Sequence, residues 1–239
     1  MDIAQAREWI EQARSVAVLT GAGISAESGL PTFRGPGGLW KSFRPEELAT
    51  PGAFARDPKL VWEWYSWRRE VHSRCEPNRG HVALAKLEQL KPQFTLITQN
   101  VDSLHERAGS RKIIHLHGSL WRVRCMSCGK EEQNEQVPLD PLPPRCACGG
   151  MLRPAVVWFG EALPQAAMAE AMQAATAAEV FLVAGTSSMV YPAAALPHVA
   201  MQHGARVIEV NLEATELSSL AHISLRGKSG EILPQLASP

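Results

Sequence analysis

Five short apolar runs govern what this chain can fold into: Val16–Thr20, Phe94–Thr98, Lys112–His115, Val180–Ala184 and Arg206–Val210. They are rich in β-branched and apolar residues and do not alternate with polar ones. A strand with one wet face alternates, whereas a strand covered on both faces reads as a continuous apolar run, which is the signature of a parallel sheet. Helical patterns lie between several of the runs, at Asn78–Lys91, Pro164–Ala178 and Tyr191–His203. The Ala-rich stretch Ala162–Ala178 favours helix because Ala loses least on entering one. This alternation predicts a doubly wound α/β fold.

The residues after each run carry the next inference. They are Gly21-Ala22-Gly23, Gln99-Asn100-Val101-Asp102, Leu116-His117-Gly118, Gly185-Thr186-Ser187 and Asn211-Leu212-Glu213. Ligands of open α/β sheets bind outside the carboxyl ends of the strands. Turns alone use Gly and small polar residues, but the same chemistry at every end predicts a shared cleft. Two stretches break the rhythm. Residues 31–77 hold Pro/Gly-rich loops and an aromatic helix, and 119–154 hold cysteines and many prolines. Both are expected to form a smaller lobe over the strand ends.

At 239 residues and 45% apolar, the chain can build one large domain, or a domain with a lobe inserted in it. Lys+Arg and Asp+Glu are 24 each, which argues against nucleic-acid binding through bulk charge. No apolar run reaches membrane-spanning length. The start, Met1–Arg14, is charged and helical in pattern and lacks the order of a signal peptide, so a cytoplasmic location is expected. Of the five cysteines, four cluster, which in a reducing compartment favours metal over disulfides. Cys75 is left over and is assigned no role.

Gly21-Ala22-Gly23-Ile24-Ser25-Ala26 fits G-x-G-x-x-G/A directly after a strand, where glycines let backbone approach a pyrophosphate. Alone this is a weak signal. The acidic residue expected about 20 positions on, closing a second strand, has no clean counterpart. Glu46 and Glu47 lie near that distance in a Pro-flanked, non-strand context, which disfavours an ordinary dehydrogenase. Cys125-x-x-Cys128 and Cys146-x-Cys148 resemble a zinc ribbon, with Gly129 and Gly149-Gly150 suited to metal-binding turns. Four thiolates leave no open position, so such a zinc is structural. The C-x-C pair departs from the commoner C-x-x-C. His115 and His117 share one face of a strand. No third ligand lies nearby in sequence, so one base at the strand end is preferred to a metal pair, with His117 favoured because Gly118 opens space beside it. A structural histidine competes with that reading on these residues alone.

Taken together, Gly21–Gly35, Thr98–Gly109, His115–Leu120, the four cysteines, Arg153–Glu161, Gly185–Ala194 and Asn211-Leu212-Glu213 resemble the sirtuins in order and content, over nearly the whole chain. The resemblance implies a Rossmann-like domain with an inserted zinc-bearing small lobe and a reaction that consumes NAD. It implies that the loop Gly21–Trp40 wraps NAD, with Phe33 and Arg34 near the nicotinamide ribose. Gln99, Asn100 and Asp102, with Val101 between them, would orient nicotinamide and ribose. Gly185, Thr186, Ser187, Asn211, Leu212, Glu213 and Ser229 would lie along the adenosine half. His117 would be the general base, acting on a ribose hydroxyl after the acyl oxygen has displaced nicotinamide. The products would be free lysine, nicotinamide and O-acyl-ADP-ribose. Val156–Gly160, including Trp158 and Phe159, would pair with the substrate peptide as an added strand. The implied partner is an acylated lysine of a protein, with neither nucleic acid nor membrane.

The helix pattern Pro58–Arg74 carries two stripes: Leu60, Trp64, Trp67 and Val71 on one, Val61, Tyr65, Arg68 and His72 on the next. Spacing alone favours a core-facing Tyr65 and a surface Arg68. The resemblance points elsewhere: in the sirtuin branch that removes succinyl, malonyl and glutaryl groups, a Tyr-x-x-Arg here reads the distal carboxylate. Ala49 matches a small residue that widens the acyl pocket. Ala155 departs from the more usual polar residue after Arg-Pro. The expected activity is therefore NAD-dependent removal of acidic acyl groups, with some deacetylation. ADP-ribosyl transfer to protein and a catalytically idle NAD-sensing module are the alternatives.

Overall fold

The structure, a computed structural model, describes residues 2–33, 38 and 44–237. In chain order the elements are α1 (Asp2–Gln12), β1 (Ser15–Thr20), α2 (Pro45–Leu48), α3 (Pro51–Arg56), α4 (Pro58–Ser73), α5 (Arg79–Leu90), β2 (Gln93–Thr98) and α6 (Leu104–Arg107). They continue with β3 (Ile113–His115), β4 (Gly118–Cys125), β5 (Glu131–Gln133), β6 (Leu152–Val156), α7 (Gln165–Ala177), β7 (Val180–Ala184), α8 (Leu196–Gln202), β8 (Arg206–Asn211), β9 (Ile223–Arg226) and α9 (Ser229–Leu236). Short 3₁₀ turns cover Ala22–Ser28, Ala193–Ala195 and Glu216–Ser219.

Six strands form one sheet in the order β3-β2-β1-β7-β8-β9, parallel throughout. This is the doubly wound strand order whose direction of winding reverses beside the first strand. Apolar side chains on both faces explain the continuous runs. Val16, Val18, Leu96, Leu182 and Ile208 pack with α1, α5 and α9 residues, while Ala17, Leu19, Ile97, Phe181 and Val207 pack with α7 and α8 residues. The sixth strand, β9, was not foreseen. It is a four-residue edge strand that buries only Ile223 and Leu225, so it alternates instead of running apolar.

A second sheet, β5-β4-β6, is antiparallel. Its inner side shares one aromatic core with the α2–α4 segment: Leu48, Phe54, Trp62 and Tyr65 meet Leu120, Val123, Leu152 and Trp158. Trp62 Nε1 donates to the Leu152 carbonyl at 2.8 Å, pinning α4 to β6. Helix α4 starts where the Asp57 side chain accepts from Leu60 N at 2.9 Å, with Pro58 in the first turn. No helix among the described residues is long and apolar enough to cross a membrane.

Candidate functional site

The ends of β1 and β7 touch. Gly23 N donates to the Gly185 carbonyl at 2.7 Å, and Gly21 N to the Ala184 carbonyl at 3.1 Å. A Cβ on Gly23 would stand 2.7 Å from Gly185 O, and Gly185 itself has φ +63°. The glycines therefore serve the contact between two strand ends as well as any ligand. From β7 the polar floor extends both ways. Gln99 Nε2 donates to Thr186 Oγ1 at 3.0 Å, and Asn211 Nδ2 to Thr186 O at 2.8 Å. The expected cleft residues after β1, β2, β7 and β8 are thus hydrogen-bonded into one surface. Ser187 is half-buried there, and Leu212 and Glu213 are exposed at the rim. Ser229 is buried at the start of α9, where Gly230 N donates to Glu27 Oε2 of the Ala22–Ser28 turn at 2.7 Å. Arg34 and Trp40 lie outside the described residues.

Below the Ala22–Ser28 turn runs a buried chain of hydrogen bonds with a fixed direction. Asn78 N donates to His81 Nδ1 at 3.3 Å, so in the neutral ring Nε2 carries the proton. That Nε2–H faces Ser25 Oγ at 3.3 Å, and Ser25 donates to Asp102 Oδ2 at 3.0 Å. Asn100 Nδ2 reaches both Ser25 Oγ and the Gly21 carbonyl at 3.2 Å. Burial lowers the His81 pKa to about 4, which keeps the ring neutral, and burial raises that of Asp102. Sequence reasoning found Asn100 and Asp102 but missed Ser25 and His81 as their supports. The Asn-x-x-His spacing of a capping box was the available signal.

His117 follows β3, and its Nδ1 lies 2.9 Å from the Gln99 carbonyl. A carbonyl only accepts, so Nδ1 carries the proton and Nε2 is left with its lone pair, the form a base requires. Burial lowers the His117 pKa, against the Gln99 carbonyl, which raises it. Gly118 is required for a different reason than open space: its φ is +75°, and a Cβ would meet Ala155 O at 2.1 Å. His115 is engaged elsewhere, pairing through Nε2 with Glu106 at 2.9 Å.

On α4 the stripe with Tyr65 and Arg68 is the inner one. Val61, Tyr65, Arg68 and His72 are buried, while Leu60 and Trp67 of the more apolar stripe stand 45% and 41% exposed. Arg68 is therefore no surface residue. Its guanidinium lies 4.9 Å from the Trp64 ring centroid, 5.1 Å from Phe33 and 5.6 Å from Tyr65. Burial lowers its pKa while Tyr65 and Asp102 act to raise it. Its Nε has no hydrogen-bond partner among the described residues, and neither does His72 Nδ1. Arg68, His72, Phe33, Asn100 and Asp102 border one small cavity of about 20 Å³. Ala49 is buried in the same aromatic core as Tyr65. Its carbonyl accepts from Phe159 N at 2.9 Å, and Val157 N donates to the His117 carbonyl at 3.0 Å. Val156 and Val157 form part of the wall of a wide cleft of about 1150 Å³ between the β3 edge and the small sheet. Phe159 and Gly160 are exposed.

The sulfurs of Cys125, Cys128, Cys146 and Cys148 lie within 4.8 Å of one another. The Cys125–Cys148 and Cys128–Cys146 separations are 3.5 and 3.8 Å. A tetrahedron with Zn–S arms of about 2.3 Å has edges of about 3.8 Å, so the set fits a closed zinc site and the C-x-C pair does not spoil it. Cys75 lies apart, its thiol on the Val71 carbonyl at 3.3 Å.

The Sir2 family profile matches residues 21–192, a span that includes the glycine turn, the Gln99–Asp102 segment, His117 and all four cysteines. The chain belongs to the Sir2 family. An NAD-dependent protein deacylase of Aquifex aeolicus is 56% identical over 216 residues, covering 90% of each chain. Among solved structures, a Sir2 homologue in complex with NAD superposes with a TM-score of 0.92 at 52% identity, covering 98% of this chain and 92% of that one. A Sir2 protein with a deacetylated p53 peptide and 3'-O-acetyl-ADP-ribose superposes with a TM-score of 0.88 at 35% identity, covering 99% and 97%. The sirtuin fold expected from the sequence is thus the fold observed.

Proposed function

We propose that this sirtuin is an NAD-dependent protein-lysine deacylase with a preference for acyl groups that end in a carboxylate. In this reading NAD supplies the ribose carbon that the acyl oxygen attacks, as the glycosidic bond breaks and nicotinamide leaves. Gln99, Asn100 and Asp102 orient the nicotinamide end, and the Ser25–His81 chain holds Asp102 and Asn100 in place. His117 Nε2 takes a proton from a ribose hydroxyl, its Nδ1–H anchored on Gln99. Thr186 and Asn211 support the adenosine half. Val156–Gly160 meets the peptide backbone. Zinc held by the four cysteines stabilises a small lobe of about 31–77 and 119–154, and takes no part in the chemistry.

The observation that carries the acyl preference is the state of Arg68. Tyr65 and Asp102 favour the buried charge, but its Nε has no hydrogen-bond partner among the described residues, and an unsatisfied donor on a buried cation is costly. An incoming carboxylate would supply the missing partner in a charge-assisted bond, with the Tyr65 hydroxyl beside it. The test is a panel of acetyl, succinyl, malonyl and glutaryl lysine peptides of one sequence, incubated with NAD and read by mass spectrometry. Free lysine peptide and O-acyl-ADP-ribose are expected, with the highest kcat/KM on an acidic acyl group. Equal or better turnover of the acetyl peptide refutes the preference. Mass gain on an acceptor protein without deacylated peptide refutes the deacylase reading.

A further inference from the structure

We infer that Trp158 is a positioning residue for acyl selection, acting by setting the direction in which the Tyr65 hydroxyl donates. This rests on the acidic-acyl reading above. The indole Nε1–H can only donate, so the 2.9 Å bond between Trp158 Nε1 and Tyr65 Oη runs one way. The phenol oxygen accepts there, and its own hydrogen must point elsewhere. Arg68 lies beside the Tyr65 ring, and a guanidinium has no acceptor to offer. The hydroxyl is thereby left to donate to an acceptor arriving in front of the guanidinium, which is where a carboxylate would sit. Accepting one hydrogen bond also strengthens a hydroxyl as donor in the next.

Trp158 is itself held firmly. Its backbone N–H donates to Glu161 Oε2 at 2.9 Å. The Arg153 guanidinium lies 3.4 Å from its ring centroid and forks onto both Glu161 oxygens at 2.6 and 2.9 Å. Phe54 packs on the indole at 5.3 Å between centroids. Arg153 is only 3% exposed, while Glu161 is partly exposed at the edge of the wide cleft, so the clamp is buried on its guanidinium side. The loop that carries Trp158 also carries the segment proposed to pair with the peptide, so peptide capture and acyl reading share one support. A bond made only to satisfy a buried phenol would affect all acyl groups alike.

The experiment compares kcat/KM on succinyl and acetyl peptides for the wild type, Trp158→Phe, Tyr65→Phe and the double variant. Trp158→Phe should lower the succinyl-to-acetyl ratio about three- to tenfold, chiefly through KM, as expected for one neutral hydrogen bond. In the Tyr65→Phe background the same substitution should move the ratio by less than about twofold, because the hydroxyl it directs is gone. An equal shift in both backgrounds, or an unchanged ratio, overturns the inference, while a ratio that still falls in Tyr65→Phe leaves the acidic-acyl reading intact. A ratio that does not fall in Tyr65→Phe removes that reading and this inference together. Should Trp158→Phe not fold, Glu161→Gln loosens the clamp without altering either ring. It should lower the ratio in the same direction, and an unchanged ratio there overturns the inference.

Discussion

Strands β1 and β7 of the large sheet are buried at every residue, whereas β5 of the small sheet buries none of its residues fully. The large sheet coheres through parallel ladders and aliphatic side chains on both faces, a generic means that many apolar sequences could supply. The small sheet has three strands and leans on particular groups: the four sulfurs, the Arg153–Glu161 fork and the Trp62 indole on Leu152. Stability in the first region is spread over many residues, and in the second it is concentrated in a few. Removing one of those few should melt one region and spare the other.

The largest such effect is expected at the cysteines. Structural zinc contributes roughly 10–16 kcal/mol in small zinc domains. Cys125→Ser, or strong chelation of protein verified to carry zinc, should abolish amide-exchange protection across 118–156 and keep it in β1, β7 and β8. Activity should be lost along with the small lobe. Protection retained in both regions after verified metal removal would show that the small sheet stands without zinc.

At the seam between the regions, His117→Ala should leave both protected and still lower turnover about 10²–10⁴-fold on every acyl substrate, the usual contribution of a general base. Near-normal turnover would remove His117 from the chemistry. The lowered pKa of His117 keeps the base deprotonated at neutral pH, so the acid limb of the rate should fall below the ordinary imidazole value of about 6.5.

Acid, unlike chelation, should load both regions, since burial lowers the pKa of His72 on α4 as well, to about 3. His81 and His105 are buried under the large sheet's cleft, with pKa values lowered by burial, His81 to about 4. Their folded values lie below the unfolded 6.5, so the unfolded chain binds more protons as pH falls. The stability they lend is complete above about 6.5 and drains as pH drops toward 4, at about 1.4 kcal/mol per pH unit for each ring. Asp102, whose pKa burial raises, works the other way. Exchange in α5 and β2 should therefore accelerate between pH 6.5 and 5, and His81→Gln should flatten that dependence. An unchanged slope in this variant would show that His81 is not the titrating group.

The same contrast governs what could be read from the sequence. The four inner strands were legible because double-sided burial writes itself as an apolar run; the edge strand β3, half-buried throughout, was read as well, whereas the edge strand β9 buries only Ile223 and Leu225 and was not. The cysteine spacing announced the four-sulfur cluster, since the ligands of one metal site must be close in space. Ser25 and His81 stayed hidden because their link is tertiary, across 56 residues. The burial of Arg68 ran against its composition: the helix turned its guanidinium inward and left Trp67 outside, which no hydrophobic period encodes.

Arg68 also provides the finest test of the contrast, because it belongs to both regions. It sits on α4 beside Tyr65 of the small-sheet core, yet it stacks near Phe33 and feels Asp102 of the cofactor cleft. If its purpose is the acyl carboxylate, Arg68→Met removes a charge-assisted bond worth roughly 1.5–3 kcal/mol, or about 10–100-fold in kcat/KM on succinyl-lysine. Acetyl-lysine carries no such group and should lose far less. Tyr65→Phe should move the ratio in the same direction by a smaller factor, since the lost bond comes from a neutral donor. If Arg68 instead serves the cofactor, both efficiencies fall together and KM for NAD rises. Measuring the succinyl-to-acetyl ratio and KM for NAD in one variant therefore assigns this side chain to one region or the other. A constant ratio with a raised KM for NAD would move Arg68 out of the acyl pocket and into the machinery of the large sheet.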